Sequence, residues 1–359
     1  MSTKNTARRW SASLVLASVL ALGAMTAGHA AMAEERLLET GSSLLYPLFN
    51  LWVPVYGKTH PGVQITTEST GSGTGISEAT SGIAQIGASD AYMSDFMVRR
   101  HPGILNIPLA ISSQMVNYNI PGLNDIHLRL SGPVLAAMYT GTIRYWNAAA
   151  IQRLNPRVRL PHKQIVLIHR TDGSGDTFIF SQYLSFSTPS WNNSVGYGTT
   201  ISWPPVEGGV GAEGNPGMVD ACKGTPYSIA YIGISYKKYT QAAKLGEALL
   251  ENRSGHFVLP TPQTIQAAVN ATASRTPADE RTSLIFAPGA DSYPIINYEY
   301  AIVNARQPNP ATAQALKQFF EWALSPAGGN APRFMRQVGF VSLPPAIVRL
   351  SQAQIAKIH

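Results

Sequence analysis

The sequence predicts an α/β fold of two lobes joined by two crossover strands. Three observations carry that prediction. Four short apolar runs each end in a loop of small and hydroxyl residues that leads toward a helix, and strands alternating with helices build layers around a mainly parallel sheet. Two extended segments, residues 114–120 and 293–304, bracket the middle of the chain. The 359 residues are 45% hydrophobic and 13% charged, enough for one large core or two ordinary ones.

In chain order, the first segment reads as a secretory signal. Lys4, Arg8 and Arg9 give a charged start, and residues 14–25 are an apolar run too short to span a bilayer. Gly28 with Ala30, or Ala31 with Ala33, has the −3/−1 spacing of a cleavage site. Residues 1–33 are therefore expected to be removed on export to the periplasm. No cysteine stands at the cleavage point, and no later apolar run is long enough for a transmembrane anchor.

Residues 36–39 form the first expected strand. It leads through Thr40-Gly41-Ser42-Ser43 into a helix at Tyr46-Pro47, where proline suits the first turn. Leu48, Leu51 and Trp52 form the apolar side of that helix, and Pro54 is expected to kink or end it. Residues 63–67 lead through Ser69-Thr70-Gly71-Ser72-Gly73-Thr74-Gly75 into a helix passing Glu78. Residues 83–87 lead into Ala88-Ser89-Asp90-Ala91. The fourth run, residues 164–168, enters His169-Arg170-Thr171-Asp172-Gly173-Ser174-Gly175-Asp176 and then a helix over 177–184. Residues 191–217, rich in glycine, proline and aromatics, are expected as long loops. Leu316, Phe319, Phe320 and Ala323 share one face of a later helix, which Ser325-Pro326-Ala327-Gly328-Gly329 ends. The crossover segments divide the exported chain into one lobe of residues 34–120 and 296–359 and another of residues 121–295.

The formal net charge is +7, of which the signal segment carries three, leaving +4 on the remainder. So mild a positive field suits an anion. It excludes nucleic acid as a partner, because no basic stripe with interleaved aromatics is present. The single cysteine, Cys222, rules out an intramolecular disulfide and is expected to be a small buried side chain.

The four junctions carry the chemistry. A helix N-terminus leaves backbone N–H groups unpaired and partly positive, and small residues let an anion come close to them. Ser72 and Ser174 add hydroxyl donors. Arg170, at a strand end and beside Asp172 and Ser174, offers a planar fork that binds two oxygens of one oxyanion. Asp90 accepts a hydrogen bond from a protonated phosphate and repels sulfate, which has no proton to give. The eight histidines are scattered with no His-Glu-x-x-His, His169 reads as strand-end packing, and Ser174 has no evident base. No catalytic residue, metal or cofactor is expected. Tyr145, Trp146 and Trp203 read as core or hinge packing rather than as a sugar platform. The alternatives are a binder of another tetrahedral oxyanion and a phosphate-handling hydrolase.

These blocks resemble the phosphate-binding proteins of bacterial high-affinity phosphate ABC transporters, the PstS family. The resemblance runs in order through residues 41–47, Thr70-Gly71-Ser72-Gly73, Gly87-Ala88-Ser89-Asp90, residues 139–146, Leu154-Asn155-Pro156, Arg170-Thr171-Asp172-Gly173-Ser174-Gly175 and Gly339-Phe340. It implies a two-lobe periplasmic-binding-protein fold with the ligand cleft between the lobes. By the same resemblance Ser72, Asp90, Arg170, Ser174 and Gly175 contact phosphate, and Asp172 braces the arginine. The implied partners are inorganic phosphate and the membrane permease subunits of the transporter, served by a monomer. Two departures stand out. Leu45-Tyr46 replaces a common Thr-Phe pair, which leaves backbone donors at Leu44 and Leu45. Asp176 replaces a common threonine, exchanging a donor for an acceptor, so Asp176 joins the expected phosphate contacts, the alternative being that it points away to cap its helix or pair with Arg170.

Overall fold

The computed structural model describes residues 34–359, and the expected signal segment lies outside them. Twelve strands follow one another: β1 (Glu35–Gly41), β2 (Val63–Glu68), β3 (Ile86–Ser89), β4 (Ile104–Asn119), β5 (Arg129–Leu130), β6 (Val166–Arg170), β7 (Val210–Ala212), β8 (Ser228–Gly233), β9 (Gly246–Glu247), β10 (Leu249–Glu251), β11 (Phe257–Val258) and β12 (Ile296–Asn304). Nine of them form one sheet in the order β2-β1-β3-β12-β4-β8-β6-β7, with β9 also on β4; β11, β10 and β5 form a small second sheet.

Parallel pairing joins β1 to β2 and β3 at one end of the large sheet, and β6 to β7 and β8 at the other. β4 and β12 lie antiparallel between them. β4 is one continuous strand whose residues 104–113 pair with β12 and whose residues 114–119 pair with β8. It is buried at every position but its last. A strand covered on both faces shows no polar alternation, which is why it reads as an extended run rather than as a half-buried strand.

Local structure departs from the sequence expectations at four places. The first helix, Tyr46–Thr59, runs through Pro54. Pro54 and Asn50 are both exposed, so the carbonyl that loses its donor faces water. The third strand begins at Ile86, not at residue 83, because the helix Ser72–Ser81 ends on left-handed Gly82 and the N–H groups of Ile83 and Ala84 still bond back to Glu78. Residues 191–217 are not all loop: they include most of the helix Pro189–Ser194, β7 and the start of the helix Gly214–Gly224. Tyr145 lies on the surface, 42% exposed and stacked on His162, whereas Trp146 is fully buried as expected.

Leu316, Phe319, Phe320 and Ala323 of the helix Pro310–Leu324 are all buried. Phe319 packs edge-on to Tyr56 at 5.1 Å and lies 5.8 Å from Phe49, tying this late helix to the first one. Cys222 is fully buried, and burial pushes its thiol up to about 12. Among the described residues no helix is long and apolar enough to cross a membrane.

Candidate functional site

The loops at the carboxyl ends of β1, β2, β3 and β6 converge on one buried cluster, the position where open α/β sheets bind ligands. After β1, the Ser42 hydroxyl accepts the N–H groups of Leu44 (3.1 Å) and Leu45 (3.0 Å) and donates to Asp90 Oδ1. The two backbone donors expected at Leu44 and Leu45 are thus held by Ser42. After β2, Gly71 turns with φ +90° into the helix Ser72–Ser81. The Ser72 hydroxyl donates to Asp90 Oδ2 at 3.4 Å and accepts the Asp90 N–H at 3.2 Å.

After β6, the guanidinium of Arg170 is almost wholly engaged by carboxylates. Its Nε donates to Asp172 Oδ1 at 2.6 Å, its Nη2 to Asp172 Oδ2, and its Nη1 to Asp176 Oδ2 at 2.9 Å. Ser174 caps the helix Gly175–Ser187 by accepting the Thr177 N–H at 3.1 Å. The loops after β2 and β6 touch: Gly73 donates its N–H to Gly173 O at 2.7 Å. Ser72, Asp90, Arg170, Ser174, Gly175 and Asp176 are therefore in one place, with Asp172 on the flank of the arginine as expected.

Ser42, Ser43, Asn215, Gln114 and Glu299 also belong to the cluster. Asn215 Nδ2 donates to Ser43 Oγ (2.9 Å) and to Asp176 Oδ2 (2.6 Å), and its orientation is fixed because Oδ1 accepts the Gly233 N–H at 2.7 Å. Gln114 Nε2 donates to Asp176 Oδ1 and to its carbonyl, both at 3.0 Å. Glu299 of β12 lies behind Asp90 and accepts from Ser112 and from Asn297 Nδ2. Ser42 and Ser43 sit inside the first junction and were within reach of sequence reasoning. Gln114 and Glu299 were signalled by polar residues inside apolar extended segments, because a polar side chain in a fully covered strand needs a partner. Asn215 gave no signal in a stretch that reads as loop.

The charges are unbalanced. Asp172 and Asp176 bond the one guanidinium, Asp90 feels its charge, and Glu299 adds a fourth carboxyl behind Asp90. Burial, and then the charge of Asp176, push the Asp90 carboxyl up to about 7 against hydrogen bonds from Glu299 and Ser42. Burial also raises Asp176, opposed by Arg170, Gln114 and Asn215. Burial would raise Asp172 too, but its bond to Arg170 and that charge hold it below the usual carboxylate range. Burial would lower Arg170, yet Asp172 and Asp176 keep it fully charged. The cluster thus offers the hydroxyls of Ser72 and Ser174 and the Arg170 guanidinium as donors, and at Asp90 an acceptor for a group that carries a proton. His169 stacks on Trp203 at 5.1 Å, so it packs as expected. Among the described residues no group of His, Cys, Asp and Glu is arranged to hold a metal ion.

A family model described as a PBP superfamily domain matches residues 26–327. The chain is 36% identical over 329 residues to the phosphate-binding protein PstS of Methanocaldococcus jannaschii, covering 87% of this chain and 83% of that protein. It is 32% identical over 336 residues to the phosphate-binding protein PstS of Haemophilus influenzae, covering 94% and 96%. Its fold is similar to that of the high-affinity periplasmic phosphate-binding protein PfluDING bound with phosphate, with a TM-score of 0.70 at 18% identity over 89% of this chain and 93% of that one.

Proposed function

The chain belongs to the PBP superfamily and, within it, to the PstS phosphate-binding proteins, and on that premise we propose that its buried junction cluster captures inorganic phosphate. Arg170, Ser72, Ser174 and the N–H of Gly175 donate to the anion, the N–H groups of Leu44 and Leu45 join them once released from Ser42, Asp90 accepts its proton, and Asp172 braces the arginine. Ser42 joins them as the hydroxyl that links the Leu44–Leu45 turn to Asp90. Asp176 faces the same space and exchanges partners when phosphate enters. The observation that carries this reading is the convergence on Asp90 and Arg170 of donors from loops that are distant in sequence.

The protein acts as a monomeric solute-binding protein in the periplasm and hands phosphate to the permease subunits of an ABC transporter, with no catalytic step. Residues 34–120 and 296–359 form one lobe and residues 121–295 the other. The change of pairing partner along β4 supports that division. Phosphate contacts from both lobes stabilise a closed state, because only differential contact shifts such a balance. Small-angle scattering of the phosphate-stripped protein checks this: the radius of gyration falls on adding phosphate, and an unchanged radius contradicts hinge closure.

Calorimetry of stripped protein with phosphate, arsenate, sulfate and molybdate tests the function. Heat from phosphate with little or none from sulfate is the expected result. Equal binding of sulfate, or turnover of a phosphomonoester, contradicts it.

A further inference from the structure

Glu299 stands in the middle of β12, fully buried, with its side chain toward Asp90. One of its carboxylate oxygens, Oε1, accepts from the Ser112 hydroxyl and from Asn297 Nδ2 at 3.1 Å. Asn297 Nδ2 also reaches the Asp90 carbonyl at 3.3 Å, so the same amide spans both residues. The other oxygen, Oε2, is buried and has no donor. A carboxylate oxygen left bare in a covered interior is strongly unfavourable. A second carboxylate beside it makes the bare form less favourable still. A proton kept on Oε2 and hydrogen-bonded to Asp90 would remove both penalties.

We propose that Glu299 is a protonated positioning residue that donates a hydrogen bond to Asp90 from behind, holding Asp90 ionised so that it accepts from protonated phosphate and turns sulfate away. The inference rests on the phosphate reading of the site. No proton is transferred in the step: Glu299 keeps its hydrogen, Asp90 stays a carboxylate, and the hydrogen bond from the ligand falls on the opposite side of Asp90. The other charged groups around the pair are Asp176 at the start of the helix Gly175–Ser187 and Arg170 at the end of β6. β4 contributes the Ser112 hydroxyl, and the first two junctions contribute the hydroxyls of Ser42 and Ser72. Burial, and then the charge of Asp90, raise Glu299 well above the usual carboxyl range, while its hydrogen bond lowers Asp90, the directions a donor and its acceptor take.

Without that donor, Asp90 faces Asp176 in a buried site with less to hold its charge. Its carboxyl, already at about 7, rises further, so at neutral pH it is protonated, becomes a donor itself, and admits a fully deprotonated oxyanion. Phosphate and sulfate titrations from pH 5 to 9 on the parent, Glu299→Gln and Glu299→Leu test this. Glutamine places an amide N–H where the proton was, so Glu299→Gln keeps the parent's preference for phosphate within roughly threefold. Glu299→Leu removes the donor, and its phosphate-to-sulfate ratio at pH 7 falls by roughly tenfold or more, the scale of one charge-assisted hydrogen bond. That preference returns as the pH is raised and Asp90 ionises. If Glu299→Leu rejects sulfate as the parent does across the whole range, Glu299 is structural and the proposal fails. If Glu299→Gln admits sulfate as Glu299→Leu does, donation to Asp90 is wrong. A parent that binds neither anion overturns the phosphate reading and this inference with it, a result read before any variant is made.

Discussion

Gly175 lies against Asp90 so closely that a β-carbon on it would stand 2.3 Å from Asp90 Oδ2, and 2.4 Å from Ser72 Oγ. The start of one helix thus closes on the carboxylate and the hydroxyl of two other junctions. Gly175→Ala pushes them apart. Its first-turn position tolerates alanine, so the cost falls on the closed site rather than on the helix. Overpacking costs about 1–3 kcal/mol, and phosphate binding weakens by roughly 5- to 150-fold. Calorimetry beside thermal melting checks this: reduced affinity with a melting temperature near that of the parent is the expected pair.

Arg170 is the cation of the site, with a side chain only 1% exposed. Arg170→Ala removes a charge-assisted pair and leaves Asp172 and Asp176 without their partner. Phosphate binding weakens by about 2–4 kcal/mol. Unchanged affinity would make Arg170 purely structural and misplace the site.

Asp176 gives the site a second carboxylate beside Asp90, and here it lies on Arg170, Gln114 and Asn215. Phosphate must share or displace those donors. With both carboxylates ionised the monobasic ion, which carries two protons, is favoured over the dibasic ion. Binding then weakens as pH rises through the near-neutral pKa of phosphate. Asp176→Asn removes one acceptor charge, flattens the profile between about pH 5 and 9 and binds more tightly than the parent at the alkaline end. Identical profiles would show that Asp176 stays clear of the ligand and serves Arg170 alone.

Glu280 is buried away from the site. Ser351 donates to its Oε1 at 2.8 Å, and Oε2 has no partner. Burial, against the Ser351 bond and the charge of Lys357, pushes its carboxyl up to about 8. An acid raised on folding contributes stability in full below its unfolded pKa and loses it as pH climbs through the folded value. The window runs from about pH 4 to 8, and Asp90 and Glu299, also raised, act in the same direction. The phosphate-stripped protein therefore melts at lower temperature at pH 8 than at pH 6. Glu280→Gln carries no charge to desolvate and loses less over that interval, by roughly 2–4 °C. Equal losses in both proteins would contradict the assignment.

Much of this was legible because strand-to-loop junctions announce themselves locally. Small residues after an apolar run located the loops of Ser72, Asp90 and Arg170, and the helical spacing from Leu316 to Ala323 located a core face. Pro54 misled because solvent exposure decides whether a lost helix bond matters. Ile83 misled because the helix before it runs to Ser81, and the N–H groups of Ile83 and Ala84 still bond back to it at Glu78. Asn215 was invisible because its partners, Ser43, Asp176 and Gly233, lie 172, 39 and 18 residues away. Glu299 was visible only as an acid in an apolar run; that it faces Asp90 follows from the antiparallel pairing of β12 with β3, which no local pattern encodes.

The most direct measurement is a crystal structure of the protein grown with saturating phosphate. The phosphate oxygens should lie within hydrogen-bond reach of Ser72, Asp90, Arg170 and the Ser174–Gly175 helix start together, with an Arg170 nitrogen turned from Asp176 to one of them. Phosphate bound elsewhere, with Arg170 still held by Asp172 and Asp176 as it is here, would contradict capture at this site.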